Sequence, residues 1–308
     1  MTAALAVVVA TQSRAGRLRA LLASLAAQDA ELEVIVVADG ATPAVHAVAD
    51  AAGVRVLRRD PGRGPAAARN AGWRSASAPL VAFTDDDCVA APGWAAALLA
   101  AADEPAGAVV QGRVEPLPAE RDRIGPFART LWVREAGPFY QTANVLYPRA
   151  VLERLGGFDE AYAFPAGEDT DLGWRAREAG VEMRFVSDAL VWHAVHESGW
   201  RGLVRDAPRW GSAVRLVKRH PGLRAQFTHR VFWKPSHERL LLAAAAVALA
   251  PRTRGAALAG TLPWLAVHRN EHPSAPSHLR AVPAHLAVDA AEVAAMARGS
   301  LAARTLLL

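Results

Sequence analysis

Cysteine is almost missing from this chain. Cys88 is the single thiol in 308 residues, so no internal disulfide can form. That excludes a disulfide-stapled scaffold and is compatible with a reducing compartment. Long apolar runs are missing too. The two that come nearest, Leu240 to Ala250 and Gly255 to Val267, are separated by Arg252 and Arg254. Neither reaches the ~18–20 residues that a spanning helix needs. No basic residue precedes the first apolar run, Met1 to Ala10, which therefore reads as a strand rather than a secretory leader. There is no internal repeat of roughly 20–50 residues and no low-complexity linker, which excludes solenoids and tethered arrays.

What is present is enough apolar residue, 52%, to build a large core. The length suits one large domain with an appendage. Charge is uneven. Between Arg201 and Arg254 twelve Lys/Arg stand against two Asp/Glu, a surplus of ten; the whole chain carries +5, so the remainder is at −5. The basic character belongs to one segment. Along the first two thirds, short β-rich runs alternate with helical spacings. Strands are expected at Leu5–Ala10, Val34–Val37, Val54–Leu57, Leu80–Thr84 and Ala108–Val114. Helices are expected around Leu18–Leu25 and at Ala44–Ala52, Ala66–Ser77 and Gly93–Ala102. This pattern predicts an α/β fold, a mostly parallel sheet with flanking helices. Beyond Pro116 the pattern predicts a helix over Phe127–Glu135, a short strand at Asn144–Tyr147, and helices at Ala150–Leu155 and Glu168–Ala179. Two further strands are expected at Val181–Val186 and Leu190–Trp192. A domain over residues 1–200 is expected, followed by a helical, basic C-terminal region over 201–308.

The run Leu80-Val81-Ala82-Phe83-Thr84 leads straight into Asp85-Asp86-Asp87. Three adjacent carboxylates cannot enter a core unpaired, so the strand must surface at its carboxyl end, where α/β sheets bind ligands. Crowded carboxylates favour a hard divalent cation, Mg²⁺ or Mn²⁺, with phosphates completing its shell. An acidic turn before a helix is the plainer alternative. Thr11 and Asp39 end neighbouring strands and fall on the same edge. Arg69 carries a fork suited to a pyrophosphate or a carboxylate. A second acidic cluster, Glu168, Asp169 and Asp171, opens a helix, where the macrodipole alone would favour it. The loop before it, Phe164-Pro165-Ala166-Gly167, is expected to present these groups to a cleft, where one carboxylate can act as a general base. His193 and His196 are both candidates to complete the metal shell, against a plain structural role. Cys88, alone, reads as a small buried residue.

Ala10-Thr11-Gln12-Ser13-Arg14, Val36-Val37-Ala38-Asp39-Gly40, Ala68-Arg69-Asn70-Ala71-Gly72, Phe83-Thr84-Asp85-Asp86-Asp87 and Gly167-Glu168-Asp169-Thr170-Asp171-Leu172-Gly173-Trp174-Arg175 stand in a telling order. Over about residues 4 to 200 the chain resembles the family 2 glycosyltransferases. The resemblance implies a GT-A fold, a nucleotide-sugar donor and inversion at the anomeric carbon. It implies that Thr11, Arg14 and Asp39 hold the nucleoside, with Arg69 near it or the pyrophosphate. Asp85 and Asp87 match the DxD motif, Asp85 and Asp86 facing the nucleotide sugar and Asp87 the firmer metal ligand. Asp169 matches the catalytic base, with Glu168 beside it for the acceptor, and His193 matches the family's occasional third metal ligand better than His196. Ala38 and Ala41 depart from the family's usual acidic residue and serine, which leaves the base contact to Asp39.

The implied cofactor is Mn²⁺ or Mg²⁺. The expected partners are a nucleotide-sugar donor, UDP-linked by family habit, and a glycan, lipid-linked or small-molecule acceptor, with no nucleic acid. An anionic membrane surface is a further expected partner for the basic segment. A cytoplasmic location is expected, with attachment at the inner face of the cell membrane as its variant. Two alternatives stand beside this reading. A sugar-phosphate nucleotidyltransferase would carry a Gly-rich, basic loop after the first strand, and Thr11-Gln12-Ser13-Arg14-Ala15-Gly16-Arg17 matches that poorly. A catalytically silent binding protein on the same fold would have no need of Asp85, Asp87 and Asp169 together.

Overall fold

The computed structural model describes residues 3–103, 107–162, 166–272 and 274–308. By internal contacts the chain divides into two units, Met1–Asp122 with Thr130–Val195, and Arg123–Arg129 with His196–Leu308.

The first unit runs β1 (Leu5–Thr11), α1 (Ala15–Ala26), β2 (Leu32–Asp39), α2 (Pro43–Ala51), β3 (Arg55–Arg59), α3 (Pro65–Ser75) and β4 (Leu80–Asp85). It continues with β5 (Cys88–Ala90), α4 (Trp94–Asp103), β6 (Val109–Pro116), β7 (Val145–Pro148), α5 (Arg149–Leu155), α6 (Glu168–Glu178) and β8 (Met183–His193). Among the described residues these strands make one sheet, in the order β3-β2-β1-β4-β7-β6-β8-β5. The first four strands are parallel to one another, as β6 is to β8; β7 runs antiparallel to both its neighbours, and β5 antiparallel to β8.

The alternation of side chains along β1 explains the layers. Leu5, Val7 and Val9 pack with Leu18, Leu21, Leu22 and Leu25 of α1 on one face. Ala6 and Val8 pack with Ile35, Val37, Phe83 and Trp73 on the other. A strand buried on both faces must be apolar throughout, as this one is. Register then fixes the functional edge. Thr11 lies opposite Ala38, Ala10 opposite Asp85, and Asp39 opposite Arg59, so β1, β2 and β4 end almost level.

Three local expectations are corrected. Phe127–Glu135 is not helical; it is an irregular segment that opens in a turn, with Arg129 bridged to His196 and Val133 to Val114. The backbone of β6 offers Val133 a ladder partner, and that tertiary pairing overrides the local spacing. The two strands expected at 181–186 and 190–192 are one strand, β8, whose register slips between Gly112 and Arg113 of β6. The polar residues Ser187 and Asp188 sit exposed at the slip, which is why the pattern looked interrupted. The three-residue β5 lies where only a turn was expected. Phe164 and Pro165, expected in the loop before α6, lie outside the described residues.

The second unit holds α7 (Gly199–Asp206), α8 (Gly211–Arg219), α9 (Pro235–Leu249), α10 (Leu262–Val267) and α11 (Ala275–Ala303), joined by short 3₁₀ turns. Ser274 caps α11 by accepting from the Ser277 amide at 3.3 Å. The long α11 packs against α7, α8 and α9. Val214, Leu216 and Val217 of α8 and Met296 of α11 are fully or almost fully buried. Among the described residues no helix is long and apolar enough to cross a membrane.

Helix α3, which carries Arg69, reaches the sheet because Gly72 has no side chain. A Cβ there would stand 2.3 Å from Val8 Cγ1, and a β-branched neighbour in a fully buried strand has little room to yield. Gly72→Ala is therefore expected to lower stability by about 1–3 kcal/mol. Urea unfolding of the two proteins checks this; an unchanged midpoint would contradict the close packing.

Candidate active site

The level ends of β1, β2 and β4 deliver Thr11, Asp39 and the Asp85–Asp87 run to one edge. Thr11 donates its hydroxyl to Asp86 Oδ2 at 2.7 Å. Arg14, at the start of α1 and about half exposed, places Nη1 at 2.5 Å from Asp86 Oδ1 and 2.9 Å from Asp87 Oδ2. Burial raises the Asp86 carboxyl above its ordinary range, with Asp87 and Asp85 adding to the rise; Arg14 and the Thr11 hydroxyl offset part of it. Asp39 has a different task. Its Oδ2 accepts from the amides of Arg63 and Gly64, at 2.9 and 2.8 Å, and Arg59 lies 3.4 Å from Oδ1. It thus organises the loop before α3.

Arg69 is the hinge of the arrangement. From the buried face of α3 its Nη2 donates to Asp85 Oδ1 at 2.9 Å and its Nη1 to Glu168 Oε1 at 2.8 Å. One guanidinium therefore joins the end of β4 to the start of α6. Burial opposes its charge, but Asp85, Glu168 and Asp169 outweigh that, and it stays cationic. The second oxygen of Glu168, Oε2, is buried with no hydrogen-bond partner among the described residues.

Asp169 accepts from the Thr170 amide at 2.7 Å. Its carboxyl rises to about 7, chiefly because it is enclosed by protein and next because Glu168 is adjacent; the Thr170 amide and Arg69 only partly offset this. A carboxyl in that range exchanges its proton near neutral pH. Asp171 departs from expectation. It is fully buried and receives Arg175 at 2.8 Å, while Arg175 also donates to the carbonyls of Leu155 and Gly157. It braces α6.

The short β5 sets Cys88 opposite His193 of β8. His193 Nδ1 is 2.7 Å from the Ala194 carbonyl, which can only accept, so Nδ1 carries the proton. Its Nε2 faces Asp87, with Oδ1 at 3.6 Å. Asp85, Asp87 and His193 each offer a ligand atom, all within 4.8 Å of one another. A donor set of two carboxylates and an imidazole oriented by its Nδ1 hydrogen bond suits a divalent ion. His196 falls in the second contact unit, its backbone bridged to Arg129. Cys88 is buried, and its thiol is pushed well up by burial and then by Asp87 and Asp85.

Two residues were not singled out from sequence. Asn70, beside Arg69, accepts from Trp73 Nε1 and the Phe158 amide, and donates to the Phe158 carbonyl and Glu160, all at 2.9 Å. Asn144, wholly buried, ties Trp94 to the carbonyls of Arg113 and Ala189. Their signal was polarity inside an apolar context: Asn70 after an alanine-rich helix start, Asn144 at the head of a strand.

Fold and site together define a GT-A-type domain. Among solved structures, the mannosyltransferase PcManGT from Pyrobaculum calidifontis, in complex with GDP-Man and Mn²⁺, matches with a TM-score of 0.60 at 20% identity, over 97% of this chain and 87% of that one. The chain belongs to glycosyl transferase family 2, whose family model matches residues 6–156. It is 34% identical over 231 residues to the pre-mycofactocin glycosyltransferase of Mycobacterium tuberculosis, covering 70% of this chain and 48% of that protein. It is 32% identical over 271 residues to the validoxylamine A glucosyltransferase of Streptomyces hygroscopicus subsp. jinggangensis, covering 74% and 63%. The chain thus spans less than two thirds of the length of either curated relative.

The Arg69 link yields a stability test. Replacing Arg69 by Met keeps the volume but leaves Glu168 and Asp85 without their counter-charge. Removing one partner of a buried ion pair is expected to cost about 3–5 kcal/mol. Arg69→Met should unfold at markedly lower urea than wild type at pH 7.5; a loss within experimental error would show that the clasp is not a structural tie.

Proposed function

We propose that the protein is an inverting glycosyltransferase that moves a sugar from a nucleotide-diphosphate donor to an acceptor hydroxyl. The observation that carries the reading is the Arg69 clasp, which brings the Asp85–Asp87 run and the Glu168–Asp169 pair into one cleft. Family membership and the glycosyltransferase relatives support it. The site also favours it over a silent binding protein, because a carboxyl held near pH 7 is suited to proton exchange, not to scaffolding.

In this reading Thr11, Arg14 and Asp39 bound the nucleoside pocket, while Asp85 and Asp86 face the donor's diphosphate and sugar. Asp85, Asp87 and His193 would hold a divalent ion, Mn²⁺ or Mg²⁺. When bound, such an ion neutralises the charge that develops on the leaving diphosphate. Arg14, which spans Asp86 and Asp87, occupies the same acidic surface and is exposed enough to turn toward donor phosphate. Asp169 takes the proton of the acceptor hydroxyl. The acceptor oxygen then bonds to the anomeric carbon from the face opposite the departing diphosphate, which leaves with the bonding pair of electrons; the configuration inverts. Glu168, anchored by Arg69 through one oxygen, would orient the acceptor with its buried second oxygen, which has no partner among the described residues. UDP is the donor nucleotide suggested by the family resemblance; a panel of UDP-, GDP- and dTDP-sugars in thermal-shift assays identifies it.

A second reading concerns the membrane. Leu241, Leu242, Val247 and Leu249 of α9, with Leu258 and Leu262 beyond it, are exposed. Arg252 and Arg254, also exposed, lie between these two groups. Apolar side chains flanked by cations suit the interface of an anionic bilayer. Flotation with liposomes containing phosphatidylglycerol should carry the protein at low salt and lose it at high salt. Absence of binding at low salt would remove the reading.

Two substitutions test the chemistry. Asp169→Asn keeps the shape and can still accept from the Thr170 amide, but cannot take a proton. It should retain donor binding while transfer falls by at least about 10²-fold. In wild type the rate should rise with pH through about 7, as Asp169 loses its proton. Stability linkage has the opposite sign. The raised pKa stabilises the fold below the ordinary carboxyl range, near about 4, and that contribution is lost as pH rises to about 7. Asp169→Asn should therefore gain stability relative to wild type between those limits. Asp87→Ala should abolish metal-dependent donor binding with the fold intact. Full transfer in EDTA, or near-wild-type turnover of Asp169→Asn, would sink the assignments.

A further inference from the structure

The second unit contains an imidazole–carboxylate cluster that glycosyl transfer does not use. His268 follows α10, Glu271 ends the next 3₁₀ turn, His272 follows it, and His285 and Asp289 stand one turn apart on α11. His268 Nε2 is 3.0 Å from Asp289 Oδ2, and its Nδ1 is 3.0 Å from Glu271 Oε1. His285 Nε2 is 2.7 Å from His272 Nε2, and its Nδ1 lies 3.9 Å from Glu271 Oε2. The His268 and His285 rings are stacked, 4.1 Å apart and inclined by 21°. Both Nδ1 atoms therefore face the two oxygens of one carboxylate.

The tautomers follow from the partners. Asp289 also receives Trp264 Nε1 at 2.9 Å and Ser236 Oγ at 3.1 Å, so it is a fixed acceptor deep in the unit. A neutral His268 gives Asp289 its Nε2 proton and turns the Nδ1 lone pair outward. His285 and His272 share one proton between their Nε2 atoms; with that proton on His285, its Nδ1 lone pair also faces Glu271. A carboxylate behind a histidine, holding its ring and tautomer, is how metal-ligating imidazoles are usually braced. His268, Glu271 and His285 each offer one ligand atom within 4.8 Å of the others. Glu271 is 40% exposed on its side chain, so water can reach a fourth position.

We propose that His268, Glu271 and His285 form a second divalent-metal site, separate from the acidic cleft of the first unit. Two imidazoles and one carboxylate select a borderline transition ion, Zn²⁺ above all, over Mg²⁺ or Ca²⁺. The ion would bind the α10–α11 connection to α11, and its role is to hold this part of the helical unit in place. The competing account is a proton. Burial lowers the pKa of His268, but its hydrogen bonds to Asp289 and Glu271 outweigh that and raise it to about 9, so a charged imidazole can fill the same place.

The experiment uses the full chain, stripped with a chelator and without nucleotide, titrated with Zn²⁺ and separately with Co²⁺ as a visible probe. The acidic cleft is silenced by Asp87→Ala. The expected result is one equivalent of Zn²⁺ bound in the Asp87→Ala protein, with a raised melting temperature and tetrahedral Co²⁺ absorption. Adding Glu271→Gln or His285→Gln should abolish that binding, and Asp289→Asn should weaken it by about 10–100-fold. Glu271→Gln, at the exposed rim, covers the case in which His285→Gln fails to fold. The proposal is overturned if Asp87→Ala binds no Zn²⁺, which would favour the proton, or if its binding survives Glu271→Gln unchanged.

Discussion

Everything at the cleft depends on how few cations serve how many carboxylates. Asp85, Asp86, Asp87, Glu168 and Asp169 come together, and Arg14 and Arg69 reach into them from α1 and α3. An arginine cannot shed its charge, so Arg69 is a permanent counter-ion for Asp85 and Glu168. Among the described residues no arginine contacts Asp169 directly, and its carboxyl climbs to about 7. The shortage of positive charge is thus unevenly shared. The carboxylates given an arginine are held in position by it, while Asp169, left without one, has its carboxyl raised into the range where a proton exchanges.

That division requires three elements to be set with little slack. Helix α3 approaches the sheet closely through Gly72, which puts Arg69 at the right depth. Asn70 then fixes the segment at Phe158 by accepting and donating, and so supports the approach to α6. Within the sheet, Asn144 satisfies backbone carbonyls beside the register slip of β8. These polar groups are buried and well partnered, the condition in which such networks define a single arrangement. They touch neither donor nor acceptor in the proposed reaction, yet they govern the distance between its two acidic clusters.

The sheet's central strands were legible because burial on both faces leaves β1 and β4 no polar positions before their ends. The Asp85–Asp87 run was legible because carboxylates after such a strand have nowhere to go but an edge. Arg69 was only half legible. Its fork was recognisable, but whether it would meet phosphate or carboxylate depended on where α6 begins, a question of tertiary distance. Asp171 carried a readable sign, since Arg175 lies one helical turn on, the spacing of an ion pair along a helix. Its neighbours Glu168 and Asp169 masked it. The segment 127–135 and the three-residue β5 were not legible, because each takes its structure from a ladder partner far along the chain. The histidine cluster was also hidden, because residues 268–272 meet 285 and 289 only after α11 folds back.

The small strand β5 has a consequence for the order in which the protein comes into being. It sets Cys88 against His193, so one corner of the acidic cleft is closed by a strand that arrives about a hundred residues later in the chain. Glu168, the second anchor of Arg69, is likewise far downstream of Asp85. A nascent chain that has emerged only through α5 already displays the whole aspartate run but has neither later partner. Contacts of such long sequence separation form slowly, because loop closure is paid for before they give anything back. During synthesis the unfinished cleft is therefore an acidic patch tended by Arg14 alone at one end and a half-engaged Arg69 at the other. It acquires its working geometry only when β8 slides in between β6 and β5.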